Sequence, residues 1–136
     1  KKKMKQSKLP PMRFESTDGF PIYVGRNNRQ NDELTFKLAR KDDVWCHASK
    51  VHGSHVIISC GGQKPPDDTV TQAAQLAAYY AETGGGQNIP VDVTTVKQVK
   101  KTPGGKPGMV IYHTYRTAIV NPYPDVRVDP LNAESK

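Results

Sequence analysis

The chain has 136 residues, which is enough for one domain with a hydrophobic core of its own. Its 20 Lys and Arg outnumber 13 Asp and Glu, and the whole surplus of +7 lies in residues 1–64, which carry 13 basic and 6 acidic side chains. Two cysteines without a C-x-x-C spacing exclude a disulfide framework, and no apolar run approaches the ~20 residues of a membrane helix. We expect a soluble, cytoplasmic domain with reduced thiols, no membrane contact and an affinity for polyanions.

The chain begins with a Lys-rich segment, "KKKMKQSKLPP" at residues 1–11, whose two final prolines stop a helix. Such a segment is typical of a linker, or of the end of a charged coiled coil that belongs to a longer protein. Two short strands are predicted next, at residues 12–17 and 21–25. The turn signal Asp18-Gly19 lies between them, so we expect a β-hairpin.

A helix and two further strands follow the hairpin. Asn27 or Asn28 is a suitable N-cap, and the spacing of the leucines extends the predicted helix to about Leu38. Residues 43–49 and 54–60 are predicted strands, joined by a turn that contains glycine. Alternation in the first of these strands puts the single Trp and a His on one face and the small apolar side chains on the other.

The second half of the chain contains the clearest helix, from Thr69 to about Thr83, which is Ala-rich, follows two prolines and two aspartates, and ends before three glycines. A strand is predicted at residues 90–101 and a turn at 102–108. Residues 109–121 form one long strand or a hairpin, and residues 122–136 an irregular tail. The fold class is therefore α+β: a single domain with a mixed or antiparallel sheet and two main helices packed on it.

Metal binding and hydrolysis are two activities that the histidines suggest. The side chains that raise the question of a metal are Cys46, His47, His52, His55 and Cys60. Zinc ligands converge from paired spacings, whereas adjacent Cys46 and His47 point to opposite faces of a strand. Residues 47–49 match half of a two-histidine phosphoesterase motif, but the second half is missing and no carboxylate cluster could hold Mg²⁺. We therefore predict no metal, no cofactor, no catalytic residue and no enzymatic activity.

Binding of phosphate groups has three separate supports. "GRNNRQN" at residues 25–31 places two Arg and three Asn at a predicted helix N-terminus, where backbone N–H groups attract anions. "VKQVKKTPGGKPG" at residues 96–108 carries four Lys and no acid. Trp45, His47 and His55 supply rings that could stack on bases or form hydrogen bonds.

Each of these supports has a purely structural alternative. Arg26 and Arg29 could pair with Asp32 and Glu33. The Lys run could be a solvated edge strand that discourages aggregation, and Trp45 could belong to the core. The three supports together favour binding.

The same segments resemble a known family, the NFACT-R domain, which is the C-terminal RNA-binding domain of the NFACT proteins (RqcH in bacteria). The blocks that carry the resemblance are, in order, "GRNNRQNDELTFKLARKDDVWCHASKVHGSHVII", "TQAAQLAAYYAE", "PVDVTTVKQVKK" and "GGKPGMVIYHTYRT". The resemblance implies an RNA-binding domain at residues 12–121, with residues 1–11 as the end of the upstream region and residues 122–136 as a tail.

The resemblance also implies a cellular role. NFACT proteins act in ribosome-associated quality control, where the bacterial branch adds alanine tails to stalled nascent chains. The implied partners are tRNA, large-subunit ribosomal RNA and the other domains of the full-length protein. Many members are also labelled fibronectin-binding proteins, so the alternative is a domain of a surface adhesin that binds fibronectin.

We expect the RNA contacts to come from basic, amide and ring side chains. Lys and Arg would neutralise phosphates, Asn would donate to phosphate or ribose, and His could do either. Whether each residue touches RNA or builds the scaffold beneath it stays open at this point. The predicted RNA-binding residues are Arg26, Asn27, Asn28, Arg29, Trp45, His47, His55, Lys97, Lys100, Lys101 and Lys106.

Overall fold

The structure, a computed structural model, describes residues 9–122 and 127–128. Its strands are β1 (Met12–Glu15), β2 (Pro21–Val24), β3 (Val44–Ala48), β4 (Val56–Ile58), β5 (Ile89–Thr95), β6 (Lys100–Lys101), β7 (Val110–Ile111), β8 (Arg116–Val120) and β9 (Arg127–Val128). The α-helices are α1 (Asn28–Glu33) and α2 (Asp67–Tyr79). None of the described helices has the length and apolar character needed to span a membrane.

Seven of the described strands form one sheet in the order β8-β5-β3-β4-β2-β1-β9, and every pairing in it is antiparallel. Strand β3 is central: Trp45 lies opposite Ile57 of β4 and Thr94 of β5, and His47 lies opposite Asp92. The α+β fold is confirmed, and the antiparallel sheet is the one of the two predicted alternatives that the chain adopts.

Helix α2 covers one face of the sheet. Its alanines at positions 73, 74 and 77 are fully buried, and they pack with Cys46, Val56 and Ile58 in the larger hydrophobic cluster. Small side chains on the contact face let the helix axis approach the sheet closely. The helix begins at Asp67 and ends at Tyr79, earlier at both ends than the predicted 69–83.

The opposite face of the sheet is covered in part by α1 and the segment that follows it. Residues Leu34–Leu38 form a π-helical turn, closed by a hydrogen bond of 2.9 Å from the Ala39 N–H to the Leu34 carbonyl. The predicted end of the helical region at Leu38 is therefore right, although its second half is not α-helical. The second, smaller hydrophobic cluster lies beneath this turn and contains Leu34, Trp45, Ile57, Val96 and Val99.

Residues 90–101 do not form the single strand that the sequence predicted. Strand β5 ends at Thr95, a 3₁₀ turn occupies Val96–Gln98, and β6 has only two residues. The Val96 N–H donates to the Asp43 carbonyl at 2.9 Å, and both Val96 and Val99 are buried. Their spacing of three residues suits a helical turn and not the two-residue period of a strand.

Residues 109–121 form neither one long strand nor a hairpin. Strand β7 pairs with β6, whereas β8 pairs with β5 in the main sheet. Tyr112 and Thr114 lie between the two pairings, and each is hydrogen-bonded to β5: the Tyr112 hydroxyl to Asp92 at 2.6 Å, and the Thr114 carbonyl to the Thr94 hydroxyl at 2.6 Å. The segment therefore crosses the face of the sheet that α2 leaves uncovered.

The two chain ends are described only in part. Strand β9 lies within the predicted irregular tail and pairs with β1, with Val128 opposite Phe14. Two residues of the tail are thus regular, because the edge of β1 offers them unpaired backbone groups. The rest of the tail after residue 122, and residues 1–8 of the predicted linker, lie outside the described residues.

Candidate nucleic-acid interface

Three of the sequence blocks that suggested a binding site meet at Gly108. The Gly108 N–H donates to the Asp32 carboxylate at 2.9 Å, and the Gly108 carbonyl accepts from the His55 ring at 3.1 Å. Its Cα lies against Asn28, so that an added Cβ would come within 3.0 Å of the Asn28 amide oxygen. With a φ of 88°, this position also favours glycine. Gly108 therefore fixes the 102–108 loop to both α1 and the start of β4.

Asp32 makes a second connection between the same elements. Its other carboxylate oxygen accepts from the Lys101 ammonium at 3.0 Å, and the Asp32 side chain is only 16% exposed. Lys101 also lies over the Phe36 ring, 5.9 Å from its centroid. Asp32 thus binds β6 as well as the loop.

Asn31 anchors α1 to the turn before β4. Its buried side chain accepts from the His55 backbone N–H at 3.1 Å and donates to the Gly53 carbonyl at 3.4 Å. Gly25 lies so close that any Cβ there would collide with the Asn31 amide. Much of the "GRNNRQND" block therefore serves to hold neighbouring segments in place.

A buried chain of polar side chains continues beneath this anchor. The Trp45 indole N–H donates to the Thr35 hydroxyl oxygen at 3.2 Å, and that hydroxyl lies 2.8 Å from Nδ1 of His55. Because a carbonyl can only accept, the contact with Gly108 requires the proton on Nε2 of His55, so that Nδ1 accepts from Thr35. Every member of the chain is satisfied when His55 is neutral.

Burial explains why His55 remains neutral. Removal from water, reinforced by the nearby His47, lowers the pKa of His55 from 6.5 to about 4. The surrounding hydrogen-bond acceptors oppose this shift without cancelling it. The imidazole is therefore a structural donor at neutral pH.

The prediction that Trp45 and His55 contact RNA is wrong, because both side chains are inaccessible in this structure. Both side chains are 0% exposed, Trp45 in the smaller hydrophobic cluster and His55 between Thr35 and Gly108. Neither ring presents a free face on which a base could stack. The structural alternative for Trp45, a place in the core, is the correct one.

His47 remains at the surface, although it is partly buried. Its ring stacks on Trp45 with 5.7 Å between centroids and 7° between planes, and its Nδ1–H donates to the Ala48 carbonyl at 2.6 Å. Burial lowers the pKa of His47, while the carbonyls of Ala48 and Gly53 and the Asp92 carboxylate act in the opposite direction. Its orientation is thus fixed before any ligand arrives.

Seven of the predicted residues line two clefts near α1. The loop cleft, about 370 Å³, is lined by Asn28, His47, Lys50, Val51, His52, Gly53, Lys106, Pro107, Gly108, Met109, Val110 and Tyr112. The helix cleft, about 600 Å³, is lined by Leu9, Arg26, Asn27, Arg29, Gln30, Asp32, Glu33, Phe36, Lys37 and Lys101. Lys97 and Lys100 are exposed but line neither cleft.

The start of α1 is not the open anion site that the sequence predicted. The Asn27 side chain accepts from the Gln30 N–H at 2.8 Å, and the Gln30 side chain accepts from the Arg26 N–H at 2.7 Å. The helix caps itself with these two residues, and it has only six residues. Arg26 in turn donates from Nε to the Pro10 carbonyl at 2.7 Å. Asn27 is therefore a capping residue first, and the charge at this site comes from side chains.

The predicted split of Cys46 and His47 to opposite faces is observed. Cys46 is buried against α2, where burial raises the pKa of its thiol to about 12. Across residues 9–122, no three His, Cys, Asp or Glu side chains come together in a way that could hold a metal ion.

Comparison with known proteins shows which family the chain belongs to. A sequence model described as "NFACT protein RNA binding domain" matches residues 11–114. The chain belongs to this family. The resemblance seen in the sequence is thereby confirmed.

Relatives of this NFACT RNA-binding domain are considerably longer proteins. It is 43% identical over 112 residues to "Rqc2 homolog RqcH" of Bacillus subtilis, a match that covers 82% of this chain and 19% of the relative. It is 50% identical over 101 residues to the protein of the same name from Streptococcus pneumoniae. That match covers 74% of this chain and 18% of the relative. The chain thus spans about a fifth of the length of the curated relatives it matches.

A solved structure shares the fold of this NFACT RNA-binding domain. It is the C-terminal part of the fibronectin/fibrinogen-binding protein from Streptococcus suis, with a TM-score of 0.83 and 43% identity. The match covers 88% of this chain and 48% of that one. The fold is therefore shared across nearly all of the described residues.

Among the polar side chains of the loop cleft, sequence reasoning missed three, Lys50, His52 and Tyr112, and it also missed the exposed apolar Met109. Lys50 and His52 lie in the turn between β3 and β4, and Tyr112 follows β7. A signal for the first two existed, because a turn that joins two buried strands and carries Lys and His must present them at the surface. Tyr112 could be placed only once the path of residues 109–121 was known.

Proposed function

We propose that the chain binds RNA through its basic face, defined as six of the basic and amide side chains that line the two clefts: Arg26, Asn28, Arg29, Lys50, Lys101 and Lys106. The observation that carries the proposal is that these side chains project from segments locked together at Gly108 and Asp32. Because these segments are already fixed, cations carried on them can meet a phosphate backbone without the cost of ordering the loop on binding.

The proposed contacts divide by chemistry. Arg29, Lys50 and Lys106 are exposed and neutralise phosphates, and Asn28 donates to phosphate or ribose. Lys97 and Lys100, exposed on the neighbouring turn and on β6, extend the field beyond the clefts. Of the three predicted rings, His47 is the one that lines the loop cleft. The role of the site is binding and not catalysis.

We infer a place for this binding in ribosome-associated quality control, on the strength of the similarity to RqcH proteins. In that setting the RNA is tRNA or large-subunit ribosomal RNA, in the cytoplasm. Promotion of alanine tailing belongs to the longer protein, because the matched region is about a fifth of the relatives' length. The domain division that the family suggests is a domain at residues 12–121 between a preceding linker and a following tail.

Alanine substitutions on and off the basic face test the proposal. Arg29→Ala and Lys106→Ala should each weaken binding to tRNA about three- to tenfold at constant salt, since each removes a phosphate contact. Lys64→Ala is the matched control, because Lys64 is equally exposed but lies in a groove beside α2. Equal losses for all three variants, or no binding by the wild-type chain, would contradict the proposal.

Fibronectin binding is a second candidate, favoured by the name of the S. suis protein whose structure matches. A folded protein partner would bury an interface of mixed apolar and polar character, so its affinity would depend only weakly on salt. Immobilised fibronectin and tRNA, assayed side by side with the Arg29→Ala chain, separate the two. Fibronectin binding that survives high salt and the substitution would favour an adhesin surface elsewhere on the domain.

A further inference from the structure

The loop cleft differs from the helix cleft in charge and in its walls. Asp32 and Glu33 are among the residues that line the helix cleft, whereas none of the twelve residues lining the loop cleft is acidic. Lys50 and Lys106 are exposed at the loop cleft, on the turn after β3 and on the loop before β7. No carboxylate thus lines the loop cleft itself, while Asp32 and Asp92 lie behind its wall, bonded to Gly108 and Tyr112.

The walls of the loop cleft offer apolar and ring surface. Met109 is 49% exposed, and Val51 and Pro107 also line the cleft. The rings of His47 and Tyr112 are held in fixed orientations, His47 by Trp45 and the Ala48 carbonyl, and Tyr112 by its 2.6 Å hydrogen bond to Asp92. Such surface suits a flat heterocycle, which gains from contact with rings and thioethers.

The size of the cleft favours one nucleotide over a helix of RNA. Its volume of about 370 Å³ is near the lower end of the range of about 300–1,000 Å³ that small-molecule sites occupy. A base paired within a duplex presents only its edge and could not enter. A base that is unpaired could.

The shape of the cleft is set in advance. Gly108 is bonded through both its N–H and its carbonyl, and the Gly53 carbonyl of the 50–53 turn accepts from the Asn31 side chain. A rigid cleft avoids the cost of ordering loops on binding.

From this combination we propose that the loop cleft holds one unpaired nucleotide of the bound RNA, its phosphate at Lys50 and Lys106 and its base against Met109 and the neighbouring rings. The inference rests on the proposed RNA binding and makes it specific for RNA with unpaired bases. It assigns the helix cleft and the remaining cations to backbone contacts that tolerate any RNA.

The test compares two RNAs by fluorescence anisotropy: a blunt duplex, and the same duplex extended at one 3′ end by unpaired nucleotides. The wild-type chain should bind the extended RNA at least about fivefold more tightly, which corresponds to the stacking of one base. Met109→Ser should remove that preference and leave affinity for the blunt duplex within about twofold.

Two further variants keep the test independent of folding. Ile111→Ser is the matched control for Met109→Ser, since Ile111 is 42% exposed on β7 but does not line the cleft, and it should keep the preference. Lys50→Gly suits the φ of this position, so it should preserve the fold and still weaken binding of the extended RNA more than of the blunt duplex.

The possible results separate the two proposals. Equal affinity for both RNAs, or a preference that Met109→Ser leaves intact, would overturn the nucleotide site while leaving RNA binding in place. Binding of neither RNA would overturn both proposals. Adenosine monophosphate serves as a competitor: if it displaced the extended RNA at micromolar concentration while that RNA bound no better than the duplex, the cleft would be a site for free nucleotides.

Discussion

His55 contributes to the interface only as a neutral side chain. Its Nε2–H is bonded to the Gly108 carbonyl and its Nδ1 to the Thr35 hydroxyl. Protonation would turn Nδ1 into a donor that faces the Thr35 hydroxyl, whose own hydrogen is donated to Nδ1 in the neutral state. The folded state therefore resists protonation, and its stability becomes linked to pH.

The first prediction concerns this linkage. The pKa of His55 lies near 4 in the folded chain, below its ordinary value of 6.5, so the unfolded chain binds more protons between these values. The contribution of His55 is complete above about pH 6.5 and is lost as the pH falls toward 4. Urea unfolding should give about 2 kcal/mol less stability from this residue at about pH 5 than at about pH 7.5.

Two substitutions isolate the effect of His55. His55→Gln removes the titrating group and should flatten the pH dependence, with His47 still contributing in the same direction in both chains. His113→Gln, the same substitution at an exposed histidine, is the matched control. A His55→Gln chain with the full wild-type pH dependence would refute the assignment.

The second prediction concerns Gly108. Gly108→Ala should destabilise the fold at least about 1 kcal/mol more than Gly104→Ala, because both positions have positive φ but only Gly108 meets a neighbour. An added Cβ at Gly108 would reach within 3.0 Å of Asn28, whereas Gly104 has no atom within 4 Å. Urea unfolding of the two variants measures the difference in stability. Equal losses of stability would mean that the positive φ alone, and not the contact with Asn28, requires glycine at position 108.

For individual residues, the sequence predicted which face of a strand a side chain occupies better than it predicted whether that side chain is buried. Alternation along β3 put Trp45 and His47 on the face opposite Cys46, which is what the structure has. It could not reveal that Trp45 is covered, since the cover comes from Leu34, Val96 and Val99 in other segments. Burial by distant segments decides whether a ring can bind a base.

Among the elements, α1 and the 102–108 loop act as one unit because Asp32 binds both the loop and β6. An acidic residue within a proposed RNA surface would ordinarily weaken binding through repulsion. Here the carboxylate also holds the cations in position. These two effects have opposite signs, so they can be told apart.

The third prediction uses that opposition. Asp32→Ala should weaken tRNA binding about threefold or more although it removes a negative charge, because the loop that carries Lys106 is released. Glu33→Ala removes the same charge from an exposed neighbour in the same cleft and should strengthen binding by up to about threefold. Faster hydrogen exchange at the Gly108 amide in the Asp32 variant would show the release directly. Stronger binding by both variants would mean that the carboxylate acts through charge alone.

The elements that the sequence predicted well are those with local signals. The hairpin at Asp18-Gly19, the two central strands and α2 all have turn residues, alternation or caps of their own. The region after β5 was predicted poorly, because its short strands owe their pairing to each other and to Asp92 rather than to their own composition. Two-residue strands leave too little pattern to read.

In the molecule as a whole, the antiparallel sheet has α2 packed on one face and the two clefts at the other. Helix α2 covers one face, while the 50–53 turn, α1 and the 102–108 loop gather around the other. The surplus of positive charge in residues 1–64 was visible in the sequence, whereas the grouping of Lys50 with Lys106 and of Arg29 with Lys101 required the fold. The basic face is thus a product of topology as much as of composition.

The measurement that tests RNA binding by the basic face most directly is the salt dependence of tRNA affinity. The wild-type chain should give a plot of log affinity against log salt with a slope of about −3, as expected for about four neutralised phosphates. The folded triple variant Arg29→Ala/Lys50→Gly/Lys106→Ala should bind more weakly, with a slope shallower by about 2. A wild-type slope near zero, or an unchanged slope in the triple variant, would show that the RNA, if bound, is held elsewhere.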